Sequence, residues 1–350
     1  MRTMSKTRLL GFRFLLAVVI AMSMVFIVTP VEACGCGIYI PLDGEASVSE
    51  ELVLIRWDGQ TEDIIVTLGV LGGSSEAAVI FPVPAQADVK LADAEIFDAL
   101  QELTKPITKK RIALLPVLLA GAPPDSAVTL LSRQKLGPFD VSTLAATDAD
   151  ALSNWLAENG YNLAPEVTAA LEPYVQMNWY YVAVRLSPEA GSNELTGELD
   201  PLWITFDYDK IIYPMRLSAL ARDSLTVFMY VLADHRVQKP MSFGYEDVQF
   251  ADWVEPASLE SDSPLAPFIT KKMFLTKIVE QIYQPETITN DYIFEFATTD
   301  ETFHLVNYQY IYDIGGIPFF FLIPAGILLM LFILVIGGIW IIVKLIRKYA

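Results

Sequence analysis

A chain of 350 residues that carries 42 acidic and 24 basic side chains, net charge −18, is long enough for one large domain or two small ones. Setting aside four basic residues near the N-terminus and three at the C-terminus leaves 17, and removing Glu32 leaves 41 acidic ones, a balance of 17 − 41 = −24. That balance argues against nucleic acid or an anionic lipid surface as partner and favours solubility or association with cations.

In chain order, Arg2, Lys6, Arg8 and Arg13 form a basic start and Phe14 to Val28 an apolar stretch. Pro30 breaks it, and Val31-Glu32-Ala33 has short side chains where a signal peptidase reads, so 1–33 is expected to be a cleaved signal peptide. The only two cysteines, Cys34 and Cys36, then stand at the mature N-terminus. They close too short a loop to staple a fold. Their chemistry is local: a strained disulfide, an intermolecular bridge, lipidation of Cys34, or thiolate capture of a metal.

Residues 34–313 are expected to form an extracytoplasmic α+β domain, with mainly antiparallel sheet and a few packed helices. Leu52 to Trp57, Ile64 to Val70 and Ala77 to Phe81 read as a three-stranded meander turning at Asp58-Gly59 and Gly72-Gly73, with Pro82 and Pro84 ending the third strand. A helix is predicted near Ala94 to Leu103, with Ile96, Phe97 and Leu100 on one face. Lys105, Lys109, Lys110 and Arg111 form the densest basic patch away from the ends, read as charge balance.

Two helices follow, one starting at Thr147 to Asp150 and closed by Gly160, the other starting at Pro165. Strands are expected at Trp179 to Leu186, Leu202 to Phe206, Ile211 to Leu217 and Leu225 to Leu232. Glu255 to Pro267 reads as a surface loop. A helix is expected at Lys271 to Tyr283, from the spacing of Phe274, Ile278 and Ile282, and a last strand at Tyr292 to Phe296.

The uncharged run 314–343 is predicted to be a transmembrane helix with interfacial entry, since about 20 apolar residues span a bilayer core. Lys344, Arg347 and Lys348 would flank this anchor, with 344–350 a cytoplasmic basic tail. The lipid bilayer is then one partner, and the expected location is the bacterial cell membrane, single-pass, with the N-terminal domain outside.

Several stretches resemble a bacterial family, the domain of unknown function 2330. They are the Cys-Gly start, Val79 to Pro84, Gly137 to Val141, Ala151 to Leu156 with Asn159-Gly160-Tyr161, Pro173-Tyr174-Val175 leading into Trp179 to Val184, Tyr213 to Leu217, and Phe274-Leu275-Thr276. The resemblance implies an exported protein without an established biochemical activity, and it supplies no catalytic residues.

The residues themselves assign no catalytic, cofactor-binding or metal-ligating set. His235 and His304 stand far apart without metal spacing, and Asp148/Asp150 and Asp207/Asp209 lack the EF-hand pattern. Ser132 to Lys135 matches Ser-x-x-Lys without its partner motifs. The expectation is a non-enzymatic binding domain with an envelope protein as partner and no cofactor. The alternative is a metal-dependent or otherwise unrecognised enzyme acting on envelope components.

Overall fold

The computed structural model describes residues 32–33, 38–42, 46–113, 140–145, 149–158, 165–188, 194–221, 223–314 and 317–349. Two compact units divide the chain, one of 1–104 and 130–303, the other of 105–129 and 304–350.

The first unit starts with β1 (Glu32–Ala33), β2 (Ile38–Pro41), β3 (Ser47–Trp57), β4 (Thr61–Ser74), β5 (Ala77–Val83), β6 (Asp88–Leu91) and α1 (Ile96–Leu103). β7 (Ile107–Ala113) belongs to the second unit. The first unit resumes with β8 (Asp140–Ala145), α2 (Ala149–Glu158), α3 (Pro165–Gln176), β9 (Tyr180–Leu186), β10 (Leu195–Glu198), β11 (Leu202–Asp207), β12 (Ile211–Tyr213) and β13 (Leu225–Ala233). It ends with β14 (Val237–Gln238), β15 (Tyr245–Val254), β16 (Met273–Ile282) and β17 (Tyr292–Phe296), and β18 (Phe303–His304) stands at the boundary between the two units.

Its large sheet runs β15-β16-β13-β3-β4-β11-β6, with β10 also on β4. β3 and β4 form the predicted hairpin at Asp58-Gly59. Asp58 Oδ1 accepts from the amides of Gln60 and Thr61, and Gly59 takes φ +105°, a conformation that costs glycine little. These two amide bonds, Thr61's the larger, hold the Asp58 carboxyl below its ordinary range. β13 joins β3 in parallel, Thr226↔Glu50 through Leu232↔Arg56, inside an otherwise antiparallel sheet.

The second sheet runs β1-β2-β5-β9-β8. β5 therefore leaves the expected meander and pairs with β9, Ala77↔Leu186 through Val83↔Tyr180. Pro82 lies inside this strand rather than ending it. β2 pairs only with Ala77 to Ile80, so at Pro82 the ladder to β2 has already stopped and a missing N–H costs no bond there.

One apolar cluster gathers Val53, Ile55, Ile64 and Val66 of the large sheet, Val79, Phe81 and Val184 of the second, and Leu152, Leu156, Val167 and Leu171 of α2 and α3. A separate cluster lies on the other face of the large sheet, where α1 puts Ile96, Phe97 and Leu100 against Leu54, Ile65, Tyr230 and Leu275. Strands covered on both faces read as near-continuous apolar runs, which is why Ile64-Ile65-Val66 lacks alternation.

The α+β expectation is corrected: the described chain is mostly strand, with four α-helices among the described residues. The main misreading is Lys271 to Tyr283. It forms β16, paired with β13 on one side and β15 on the other. A spacing of four satisfies both a helix and one face of a strand, so Phe274, Ile278 and Ile282 could not separate them. Thr276 and Glu280 occupy the alternate positions of that same face and are fully buried. The strand expected at Ile211 to Leu217 stops at Tyr213, and a 3-10 turn follows at Arg216–Leu220. The expectations for α1, α3, β9, β13 and β17 agree with the structure to within a residue or two.

In the second unit β7 pairs in parallel with β19 (Val306–Ile314), Val306↔Ile107 through Tyr312↔Ala113. β20 (Ile317–Pro318) turns back on β19, and α4 (Phe319–Tyr349) follows. The predicted transmembrane helix is overturned. Ile314, Ile317 and Pro318 are strand, so no helix begins at 314. Among the described residues no helix is long and apolar enough to cross a membrane.

Candidate functional site

The charged groups buried in the first unit are the natural place to look for chemistry, and their contacts are structural. Glu280 projects from β16 into the core, and its carboxylate is filled. Oε1 accepts from Ser242 Oγ at 2.9 Å and from the amides of Phe243 and Gly244 at 2.7 and 2.9 Å. Oε2 accepts from Lys239 Nζ and Tyr292 OH, each at 2.6 Å. The Lys239 side chain is fully buried, also pairs with Glu246 at 2.5 Å, and lies 4.2 Å from the centre of the Tyr292 ring.

Burial alone would raise the Glu280 carboxyl. The Lys239 charge and the hydrogen bonds from Lys239, Tyr292 and Ser242 outweigh it and leave the group below its ordinary value. An ionised carboxylate with five donors has no lone pair left for a substrate. Ser242 donates to that carboxylate, and Lys239 is directed at Glu280 and Glu246, so neither is arranged as a nucleophile with its base. The cluster pins the chain of 239–244 onto β16. The approach is close: a Cβ on Gly244 would stand 2.0 Å from the carbonyl oxygen of Gln281.

Asp291 acts similarly, accepting from Tyr174 OH at 2.6 Å and from the amides of Met215 and Arg216, with Arg216 Nε at 3.4 Å. It ties α3 to the turn after β12. Asp63 accepts from Trp203 Nε1, Thr205 Oγ1 and Arg56, which joins β3, β4 and β11 across one face of the sheet. Glu62, its neighbour on the other face, is fully buried and accepts one bond, from the Ile212 amide. Desolvation pushes its carboxyl well above the usual range and so favours its protonated form.

An open cleft of about 430 Å³ lies beside α1. Glu95, Asp98 and Glu102 fall on the helix face opposite the buried Ile96, Phe97 and Leu100. Glu260 and Asp262 face them from the loop that follows β15. Leu103, Leu259 and Leu265 also line the cleft, which therefore has five carboxylates with apolar ground between them.

The family model described as an uncharacterised protein conserved in bacteria, DUF2330, matches residues 30–295. The chain belongs to this family. The match covers most of the DUF2330 chain, including both the buried clamps and the cleft. No curated protein matches it. Among solved structures, the crystal structure of baculovirus P35 is similar at 13% identity and a TM-score of 0.38, covering 73% of this chain and 98% of that one. A likeness at that score carries no argument.

Cys34 and Cys36 lie outside the described residues, as do Ser132 to Lys135 and Asp148. Lys344 and Arg347 are exposed on the last turns of α4, with Lys344 Nζ 4.7 Å from the Trp340 ring, and Lys348 belongs to the same helix. Asp207 accepts from Thr61 Oγ1 where β11 meets β4. His235 meets Asp300 at the surface. Among the described residues no group of three His, Cys, Asp or Glu side chains could hold a metal ion.

Sequence reasoning missed the clamps and the cleft. The acids of α1 were readable as its polar face and the 255–267 loop as acidic, but nothing local says that the two oppose each other.

Proposed function

We propose that this DUF2330 chain is a non-enzymatic binding protein of the bacterial envelope whose cleft beside α1 takes a cationic, partly apolar segment of an envelope protein. The observation that carries the proposal is the lining of the cleft, in which five carboxylates surround three leucines. Such a lining attracts Lys or Arg and buries the aliphatic side chains between them. The leader pattern of 1–33 supports export to the compartment where that partner would be met.

The test is fluorescence anisotropy of the full chain with a labelled peptide alternating Lys and Leu. Reversing two charges with D98K/E102K is expected to weaken binding roughly tenfold, and added salt to weaken the unaltered chain in the same sense. Equal binding of the matching Glu/Leu peptide would remove the proposal.

One observation favours the enzyme alternative. Lys277 on β16 is 7% exposed, with Nζ 5.2 Å from the Tyr230 ring, and burial pushes its amine down to about 8. A partly neutral amine attacks carbonyl carbon and loses water to form an imine. If that reading holds, glyoxylate with cyanoborohydride labels Lys277 ahead of the surface lysines, with a rate that rises through pH 8. Labelling at Lys277 no faster than elsewhere, read by peptide mass spectrometry, removes it.

A further inference from the structure

The parallel pairing of β7 with β19 brings together two stretches about 200 residues apart, the basic patch and a tyrosine-rich strand. Lys109 stands opposite Tyr308, and Arg111 opposite Tyr310. The Arg111 guanidinium lies 3.8 Å from the centre of the Tyr308 ring. Strand alternation puts Ile107, Lys109, Arg111, Val306 and Tyr308 on one face, and Thr108, Lys110, Asn307 and Gln309 on the other. The residues from Ile107 to Arg111 are all exposed, as are Asn307, Tyr308 and Gln309.

Charge divides between the two units. The second unit has seven Lys and Arg (Lys105, Lys109, Lys110, Arg111, Lys344, Arg347 and Lys348) against Asp125 and Asp313, 7 − 2 = +5. The first unit therefore carries −18 − 5 = −23. Four of the seven cations fall between Lys105 and Arg111, a stretch without an acid. The overall charge, which argued against an anionic surface as partner, is thus a property of the first unit alone.

We propose that the β7–β19 ribbon docks on an anionic, phosphate-bearing lipid surface. Its mixed face has what such a surface selects. Arg111 and Lys109 supply charge for lipid phosphate, and Tyr308 and Ile107 supply amphipathic and apolar bulk at headgroup depth. Arg111 is already seated on the ring, so its guanidinium edge remains available to phosphate oxygens while the ring covers one of its faces. The opposite face, with Lys110 among the polar Thr108, Asn307 and Gln309, suits water.

The test uses the full chain and co-flotation with phosphatidylcholine vesicles, with and without phosphatidylglycerol, and reads the ratio of the two affinities. A juxtaposed cation contributes roughly a fivefold preference for an anionic leaflet, so removing Lys109 and Arg111 from the docking face in K109E/K110E/R111E is expected to lower the ratio about 25-fold or more, or to unity. K109R/K110R keeps the ratio. K109Q/K110Q/R111Q, checked by an unchanged near-ultraviolet circular dichroism spectrum, guards against a folding defect and should lower the ratio in the same direction. A ratio of one in the unaltered chain, or a ratio unmoved by both triple variants, overturns the proposal. So does competition by inorganic phosphate well beyond that of sodium chloride at equal ionic strength, which would make the ribbon a phosphate-ion site.

Discussion

Replacing Glu280 by Ala should destabilise the first unit by about 3–5 kcal/mol, the scale for leaving one partner of a buried ion pair behind. The Lys239 side chain has no exposed surface, so the charge left there keeps Glu246 and the Met241 carbonyl. The amides of Phe243 and Gly244, the Ser242 hydroxyl and the Tyr292 hydroxyl lose their acceptor together. Urea denaturation followed by tryptophan fluorescence measures the loss, and a shift below about 1 kcal/mol would mean that the 239–244 segment is not held by this carboxylate. The sign with pH follows from the depressed carboxyl. Its stabilisation is present above the ordinary value of 4.5 and disappears as pH falls through the lower folded value. The E280A variant should therefore lose stability less steeply on acidification than the unaltered chain.

Glu62→Gln should do the opposite and raise stability near neutral pH by about 1–3 kcal/mol, because glutamine has no proton that the folded state must keep while the unfolded state releases it. Glu62 is buried, its Oε1 has no hydrogen-bond partner among the described residues, and its folded carboxyl titrates well above the unfolded one. An acid of that kind stabilises least at high pH. The folded state keeps its proton while the unfolded state has released it, so stability falls as pH rises from about 4.5 towards the folded value. Glutamine retains a carbonyl for the Ile212 amide and cannot titrate, so the slope in that window should vanish. An unchanged slope would assign the dependence to another group.

These carboxylates also mark where sequence reasoning stopped. Amphipathic α1, the Asp58-Gly59 hairpin and the Pro165 start of α3 were legible because the signal for each lies within a few adjacent residues. β16 was not, because polar Lys277 and Glu280 mimic the exposed side of a helix when their partners are unknown. Lys239 and Tyr292, which make Glu280 tolerable in a core, lie 41 and 12 positions away. The destination of β5 was equally hidden, since a strand ending in Val-Pro carries no mark of which sheet receives it. In the second unit the patch at Lys105 to Arg111 was visible, but only the pairing with β19 gives it an aromatic companion.

The parallel seam between β3 and β13 has a consequence for the order of events in time. Glu50 must meet Thr226, a separation of 226 − 50 = 176 positions, and closing a loop of that length costs roughly 4–5 kcal/mol in the length-dependent part alone. The β3–β4 hairpin needs only a three-residue connection and can assemble at once, leaving the outer edge of β3 unpaired. Its neighbours on that side, β13 and then β16, are completed only when residue 282 exists. Until then a growing chain offers an open apolar edge, so the slow step of folding belongs to the finished polypeptide, and whatever shields that edge during synthesis governs the yield.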